Sequence, residues 1–350
     1  MSPTPHIDWI DKAKGFAILG VVALHVIHQF TITGTMAKIA TAGIYGVSLF
    51  FIISAYLSFL SFDNNPTKWN IRTYTKYLFR KIIRLAPVLY IAILWHFIQY
   101  CIVIKGIPDF SDGIWLDVLF SATFTNAFSY LHFNPWVNWY IGTLVLYIAI
   151  APVIHKWINT PLRSIMFFGI SLIFAWVLRL ILSIHGIPNY DFFIYCSLPI
   201  QLPVIALGIV LYYFMKADNM YSISRPLKVF CNIISLFLLL TLCTSIEIIE
   251  FHVIMGLLLL ILSVSSFNNT CKATKFLSIL GKNSYGIYLL HWCLITIFTE
   301  VSSRLCINTS SLITFFVYYI LLLLLSLICA ILVNKYIEKP ILSLIEKKLK

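Results

Sequence analysis

The stretch LITFFVYYILLLLLSLICAILV, residues 312–333, runs 22 positions without a charged side chain. As a helix it is long enough to cross the roughly 30 Å hydrocarbon core of a bilayer, and it is apolar on every face. Working outward, nine more stretches have the same character: about 15–35, 40–61, 86–104, 136–154, 165–184, 197–215, 229–246, 251–267 and 284–300. Composition agrees. The 350 residues are 60% hydrophobic and 11% charged, with a mean hydropathy of +0.92. A soluble domain is about a quarter charged, so most of this surface must be solvated by lipid. The expected fold is all-α, a polytopic transmembrane helical bundle of about ten spans, one membrane domain filling residues 1–350. The first span does not read as a cleaved signal peptide. It is as long as the others, contains His25, His28 and Gln29, and has no convincing small-residue cleavage site after it.

The net charge of +12 would suggest nucleic-acid binding on a soluble protein; here its placement gives topology. With both termini in the cytoplasm, 21 of the 25 Lys and Arg fall on the inner side. Lys38, Lys105 and Arg304 fall outside, and Arg179 lies within a span. Acidic residues divide almost evenly. A Lys/Arg bias without an acidic one is the positive-inside pattern, and it predicts cytoplasmic N and C termini. The largest outer loop is then about 105–135, with Asp109, Asp112, Asp117 and His132. Eight scattered cysteines without a CxxC pair argue against a zinc ribbon or a disulfide framework. No HExxH or other close metal spacing occurs, so no metal is expected.

Ionisable groups inside spans are costly and normally face a cavity or a partner. His25, His28, His96, His252 and His291 are such groups. His25 stands out because Lys14 precedes it by eleven positions. Eleven residues bring a helix back to within about 20° of the same face and advance it by roughly 16 Å. Lys14 is thus placed at the cytoplasmic surface and His25 near the midplane, within reach of one ligand with an anionic head and a long thin arm. Arg80, Lys81 and Arg84 form a second basic group leading into the third span, with Pro87 near its start. Arg80 and Arg84 share a helical face, and arginine's planar fork suits phosphate.

Six segments, in order, resemble the acyltransferase 3 family of polytopic membrane acyltransferases. IDWIDKAKGFAILGVVALH (7–25) is similar to the family's first helix, in which a basic residue and a histidine are separated by ten positions. GVSLFFIISAYL (46–57), RKIIRLAPVLY (80–90), NPWVNWYIGTLVLYIAIAP (134–152), LGKNSYGIYLLHW (280–292) and YIEKP (336–340) resemble the later motifs. There are departures. Lys14 stands where arginine is commonest, Ser48 where many members have aspartate, and Ala55 where glycine is common. No glutamate occurs around Thr143. His25 is therefore left without an obvious carboxylate partner.

The resemblance implies transfer of an acyl group, usually acetyl, from cytoplasmic acyl-CoA as co-substrate to a hydroxyl of a surface-polysaccharide or lipid-linked sugar acceptor, in a bacterial inner membrane. It also implies a stand-alone form without a fused extracytoplasmic esterase-like domain. The residues fit that chemistry. Lys14, Arg80, Lys81 and Arg84 would bind the donor's phosphates. His25 would be the catalytic base, since a neutral imidazole can take the proton of an attacking hydroxyl; an acyl-imidazole is a second route. Ser54, Asn138, Tyr288 and His291 are candidates to orient the acceptor or stabilise the oxyanion. The partners expected are acyl-CoA, the sugar acceptor and the bilayer, with no nucleic acid and no resident cofactor. Two other classes fit the same residues: a flippase or exporter of modified sugars or lipids, and a membrane sensor or scaffold without turnover.

Overall fold

A computed structural model of the chain describes residues 8–104, 106, 113–126, 139–185, 196–217 and 272–348. These residues are mostly helical, with no strand among them. The elements are α1 (Asp8–Ile27), α2 (Thr35–Thr41), a 3₁₀ turn (Ala42–Tyr45), α3 (Gly46–Asn64), α4 (Ile71–Ile104), α5 (Ile114–Ala122), α6 (Trp139–Trp157), α7 (Pro161–His185), α8 (Leu198–Ala217), α9 (Lys272–Lys282), α10 (Ser284–Arg304), α11 (Leu312–Val333), a π-helical turn (Asn334–Glu338) and α12 (Lys339–Lys348). Seven helical segments are long and apolar enough to cross a membrane: Thr35–Asn64, Ile71–Ile102, Trp139–Trp157, Pro161–His185, Leu198–Lys216, Ser284–Arg304 and Leu312–Ile345. α1 is not among them because Asp11, Lys12 and Lys14 occupy its first half. The expected spans near 229–246 and 251–267 lie outside the described residues.

Two expected boundaries differ. The first span was expected over 15–35, but α1 ends at Ile27. The N–H groups of Gln29 and Phe30 turn back to the carbonyls of Val26 and Ile27 at 2.9 and 3.0 Å. Outside partners hold the turn that follows. Thr31 N–H donates to the Thr309 carbonyl at 3.1 Å, and the Thr299 hydroxyl donates to Gln29 Oε1 at 3.1 Å. Gly34, at φ +80°, redirects the chain into α2. His28 and Gln29 thus sit in a turn, and His25 is in the last turn of α1 instead of midway along a span. The third span was expected over 86–104, but α4 begins at Ile71. The basic stretch before the apolar run is itself helical, since Lys, Arg and Leu are good helix formers. Pro87 is therefore inside the helix, well past its start.

The chain clusters into two compact units: residues 1–65, 159–168 and 204–330, and residues 66–158, 169–203 and 331–350. In the first unit α1 packs against α9, α3 and α10. Trp9, Ile10, Ala13, Ala17, Ile18, Val21, Val22, Leu24, Val26 and Ile27 are all buried, so protein surrounds α1 on most of its circumference. That explains how a helix carrying Asp11, Lys12, Lys14 and His25 is accommodated: much of it meets protein instead of lipid. The α1–α9 contact needs glycine. A Cβ on Gly281 would fall 1.7 Å from the Asp11 carbonyl oxygen, and one on Gly15 would fall 2.1 Å from that of Leu277. Tyr319 on α11 donates its hydroxyl to the Leu19 carbonyl at 3.1 Å, tying a third helix to α1.

In the second unit α4 packs on α6 where α6 contains Pro152. Proline has no N–H to offer the carbonyl four residues back, and its ring disturbs that turn. α4 supplies the missing donor, Tyr77 OH to the Ile148 carbonyl at 3.4 Å, and adds a second bond from Tyr74 OH to the Ala149 carbonyl at 3.0 Å.

Candidate functional site

The first unit brings together three of the residues singled out from the sequence. His25, half-buried on α1, has its ring centroid 5.2 Å from that of His291 on α10. The Trp292 ring stands edge-on to His25, 4.9 Å between centroids at 77°. Tyr288, one turn before His291, places its ring 6.1 Å from it. The Phe50 ring of α3 lies edge-on to Tyr288 at 6.4 Å. His291 is fully buried. Its Nδ1–H donates to the Ile287 carbonyl one turn back, at 2.9 Å. That bond fixes the tautomer: in the neutral ring Nδ1 carries the hydrogen and Nε2 the lone pair. The two imidazoles thus lie side by side among aromatic rings, His291 fully buried and His25 half-buried.

Lys14 is half-buried on α1, eleven residues before His25 and about 16 Å away along the axis. Ser54, half-buried, lies one turn beyond Phe50 on α3, and its carbonyl accepts the Ser58 hydroxyl at 2.8 Å. Among the described residues no hydrogen bond joins Ser54 to either imidazole. Asn138 lies outside the described residues. Ser48, where the resemblance brings aspartate in many relatives, is buried in α3.

Arg80, Lys81 and Arg84 belong to the second unit, on α4. Arg80 and Lys81 are half-buried and Arg84 is exposed. The Lys81 Nζ sits 5.9 Å from the centre of the Tyr77 ring. The π-helical turn, which holds Tyr336–Glu338 of the YIEKP segment, packs against this helix. Within that turn the Asn334 amide donates to Glu338 Oε2 at 3.1 Å. In the same unit Thr143 is fully buried, and its hydroxyl donates to the Cys196 carbonyl at 2.5 Å.

One polar cluster in the first unit has no counterpart in the sequence reading. Asp63, near the end of α3, accepts from the Tyr212 hydroxyl and from Lys216 Nζ, the latter at 2.5 Å. Lys216 Nζ also lies 5.6 Å over the Tyr212 ring. Tyr212 and Lys216 are one turn apart on α8, which the sequence could have shown; their convergence on Asp63, 149 residues away, had no local signal. Among the described residues no group of three His, Cys, Asp or Glu is placed to hold a metal ion.

Apolar helices in this number, around a charged first helix that is largely buried in its unit, define a multi-pass membrane protein. Residues 7–335 match the acyltransferase 3 family, described as an acyltransferase domain, and the chain belongs to that family; it is a membrane acyltransferase. No curated protein and no solved structure matches it.

Proposed function

We propose that the protein transfers an acyl group, acetyl in the usual case, from cytoplasmic acyl-CoA to a hydroxyl of a surface-polysaccharide or lipid-linked sugar acceptor at a bacterial inner membrane. The observation that carries this reading is the His25 ring, enclosed by His291 and Trp292 on the helix that also bears Lys14. A sugar hydroxyl is a poor nucleophile at neutral pH, and a general base beside it typically contributes about 10²–10⁴-fold. In the proposed step His25 takes the hydroxyl proton as the oxygen bonds to the thioester carbonyl carbon. The carbon–sulfur bond then breaks, and the imidazolium returns its proton to the departing thiolate. Lys14, Arg80, Lys81 and Arg84 are assigned to the donor's phosphates on the chemistry of their charges. Cytoplasmic termini, with the basic segments on the same side as the donor, complete the reading.

The experiment is release of CoA thiol by the purified protein in liposomes, with and without a sugar-linked lipid extract as acceptor. Acceptor-dependent release, with label from acetyl-CoA appearing in the acceptor fraction, is the expected result. Acetyl-CoA that stays intact under both conditions, alongside acceptor movement between leaflets, would replace this reading with that of a flippase.

A further inference from the structure

The seam between α1 and α10 continues past His25. Its first layer is the His25 ring against Trp292, 4.9 Å between centroids. A second layer follows four residues on from His25 and seven residues on from Trp292. There the Thr299 hydroxyl donates to Gln29 Oε1 at 3.1 Å. The chain keeps winding beyond α1, since the Gln29 and Phe30 N–H groups bond to the carbonyls three residues back. Four and seven residues are about one and two helical turns, so the two layers stack along one seam. The second layer is the outer one. His25 lies in the last turn of α1, and on the proposed topology that end of the helix faces away from the cytoplasm. Gln29 is half-buried and His28 beside it is exposed. An acceptor arriving from that side meets Gln29 about 6 Å before it meets His25.

We infer that Gln29 is a specificity-determining residue that holds the acceptor sugar, donating from Nε2 to an oxygen beside the reacting hydroxyl, with Thr299 as the positioning residue that aims it. This inference rests on the acyl-transfer reading of His25. Three observations carry it. The Thr299 hydroxyl shares its hydrogen between Gln29 Oε1 and the Ile295 carbonyl, at 3.1 and 2.9 Å. That bond occupies the acceptor end of the amide and leaves its two N–H donors, which have no hydrogen-bond partner among the described residues. The His25 ring likewise makes no hydrogen bond among the described residues, so both layers keep hydrogen-bonding capacity for a ligand. The spacing between the layers suits a single sugar ring, which carries oxygens on adjacent carbons and can present one to each layer. Unmet donors at a half-buried position favour such an oxygen-rich ligand over a lipid chain.

The test separates a ligand-binding amide from a cross-link between α1 and α10. Gln29→Glu keeps an oxygen for Thr299 but has no N–H to give at neutral pH, whereas Gln29→Met removes both. Acyl transfer in liposomes is measured with the sugar-linked lipid extract titrated at saturating acetyl-CoA, and with acetyl-CoA titrated at saturating extract. Both variants should raise the apparent KM for the extract by about tenfold. The acetyl-CoA KM should stay near wild type in both, as should the thermal midpoint of Gln29→Glu. Thr299→Val should raise the KM for the extract by about threefold, and combining it with Gln29→Met should add nothing, because the two act through one bond. Gln29→Glu decides the matter if the methionine variant does not fold. A folded Gln29→Glu enzyme whose KM for the extract is within about twofold of wild type overturns the inference, since a lost ligand bond costs more than that. A rise confined to the acetyl-CoA KM overturns it too. Wild-type protein that releases no CoA thiol with the extract present overturns the acyl-transfer reading and this inference with it. Wild-type transfer alongside an unmoved KM for the extract in the variants overturns the assignment of Gln29 alone.

Discussion

Replacing Tyr212 by phenylalanine should destabilise the protein more than removing the charge of Lys216, although both side chains bind the same Asp63 oxygen. Tyr212 is 4% exposed, so its hydroxyl bond to the carboxylate is shielded from water on the tyrosine side. Hydrogen bonds to charged groups are worth about 1.5–3 kcal/mol, and Phe keeps the ring packing against Tyr56, Phe59 and Tyr213. The Lys216 side chain is 56% exposed and that of Asp63 27%. An ion pair so open to solvent contributes about 0–1 kcal/mol, and its approach to the Tyr212 ring adds about 0.5–1 kcal/mol at an exposed position. Lys216→Met, which keeps most of the stem, should therefore cost at most about 2 kcal/mol and less than Tyr212→Phe. The assay is reversible unfolding in mixed detergent and SDS micelles, followed by tryptophan fluorescence. A Tyr212→Phe cost below about 0.5 kcal/mol, or a Lys216→Met cost exceeding it, would refute the reasoning that burial decides which partner of Asp63 matters.

Arg84→Ala, and less strongly Lys14→Ala, should weaken acetyl-CoA binding by roughly tenfold or more at fixed salt while the fold stays intact; equilibrium binding by the purified variants reads it, and unchanged affinity in both would return these residues to membrane anchoring. On a cysteine-free background, Arg72→Cys should react only with reagents admitted to the cytoplasmic side, because the basic segments carry the positive-inside bias. Labelling of that position from outside alone would invert the topology.

The apolar spans were legible because lipid leaves a compositional mark about 20 residues long. Their ends were less so, because apolarity records membrane contact and not helicity. α4 continues through Arg72, Lys76, Arg80, Lys81 and Arg84, whose side chains suit a helix but not hydrocarbon. α1 stops at Ile27, within an apolar run, because tertiary bonds from Thr299 and Thr309 capture the chain beyond it. Of the site, His25, Tyr288 and His291 were each visible in short motifs, while their adjacency was not: α1 and α10 lie more than 250 residues apart in the chain, and only packing brings the imidazoles together. Trp292 sat inside the quoted LGKNSYGIYLLHW segment and still carried no sign that it faces His25. The Asp63 cluster was hidden for the same reason, with an ordinary aspartate near the end of α3 finding its partners on α8.

Acyl transfer by His25→Gln, assayed in liposomes with expression and acetyl-CoA affinity measured alongside, tests the central claim most directly. Glutamine can hydrogen-bond but cannot take a proton at neutral pH. The account predicts that transfer falls by about 10²–10⁴-fold while donor affinity is retained. Transfer within a few-fold of wild type would contradict it and leave the imidazole of His25 a structural group.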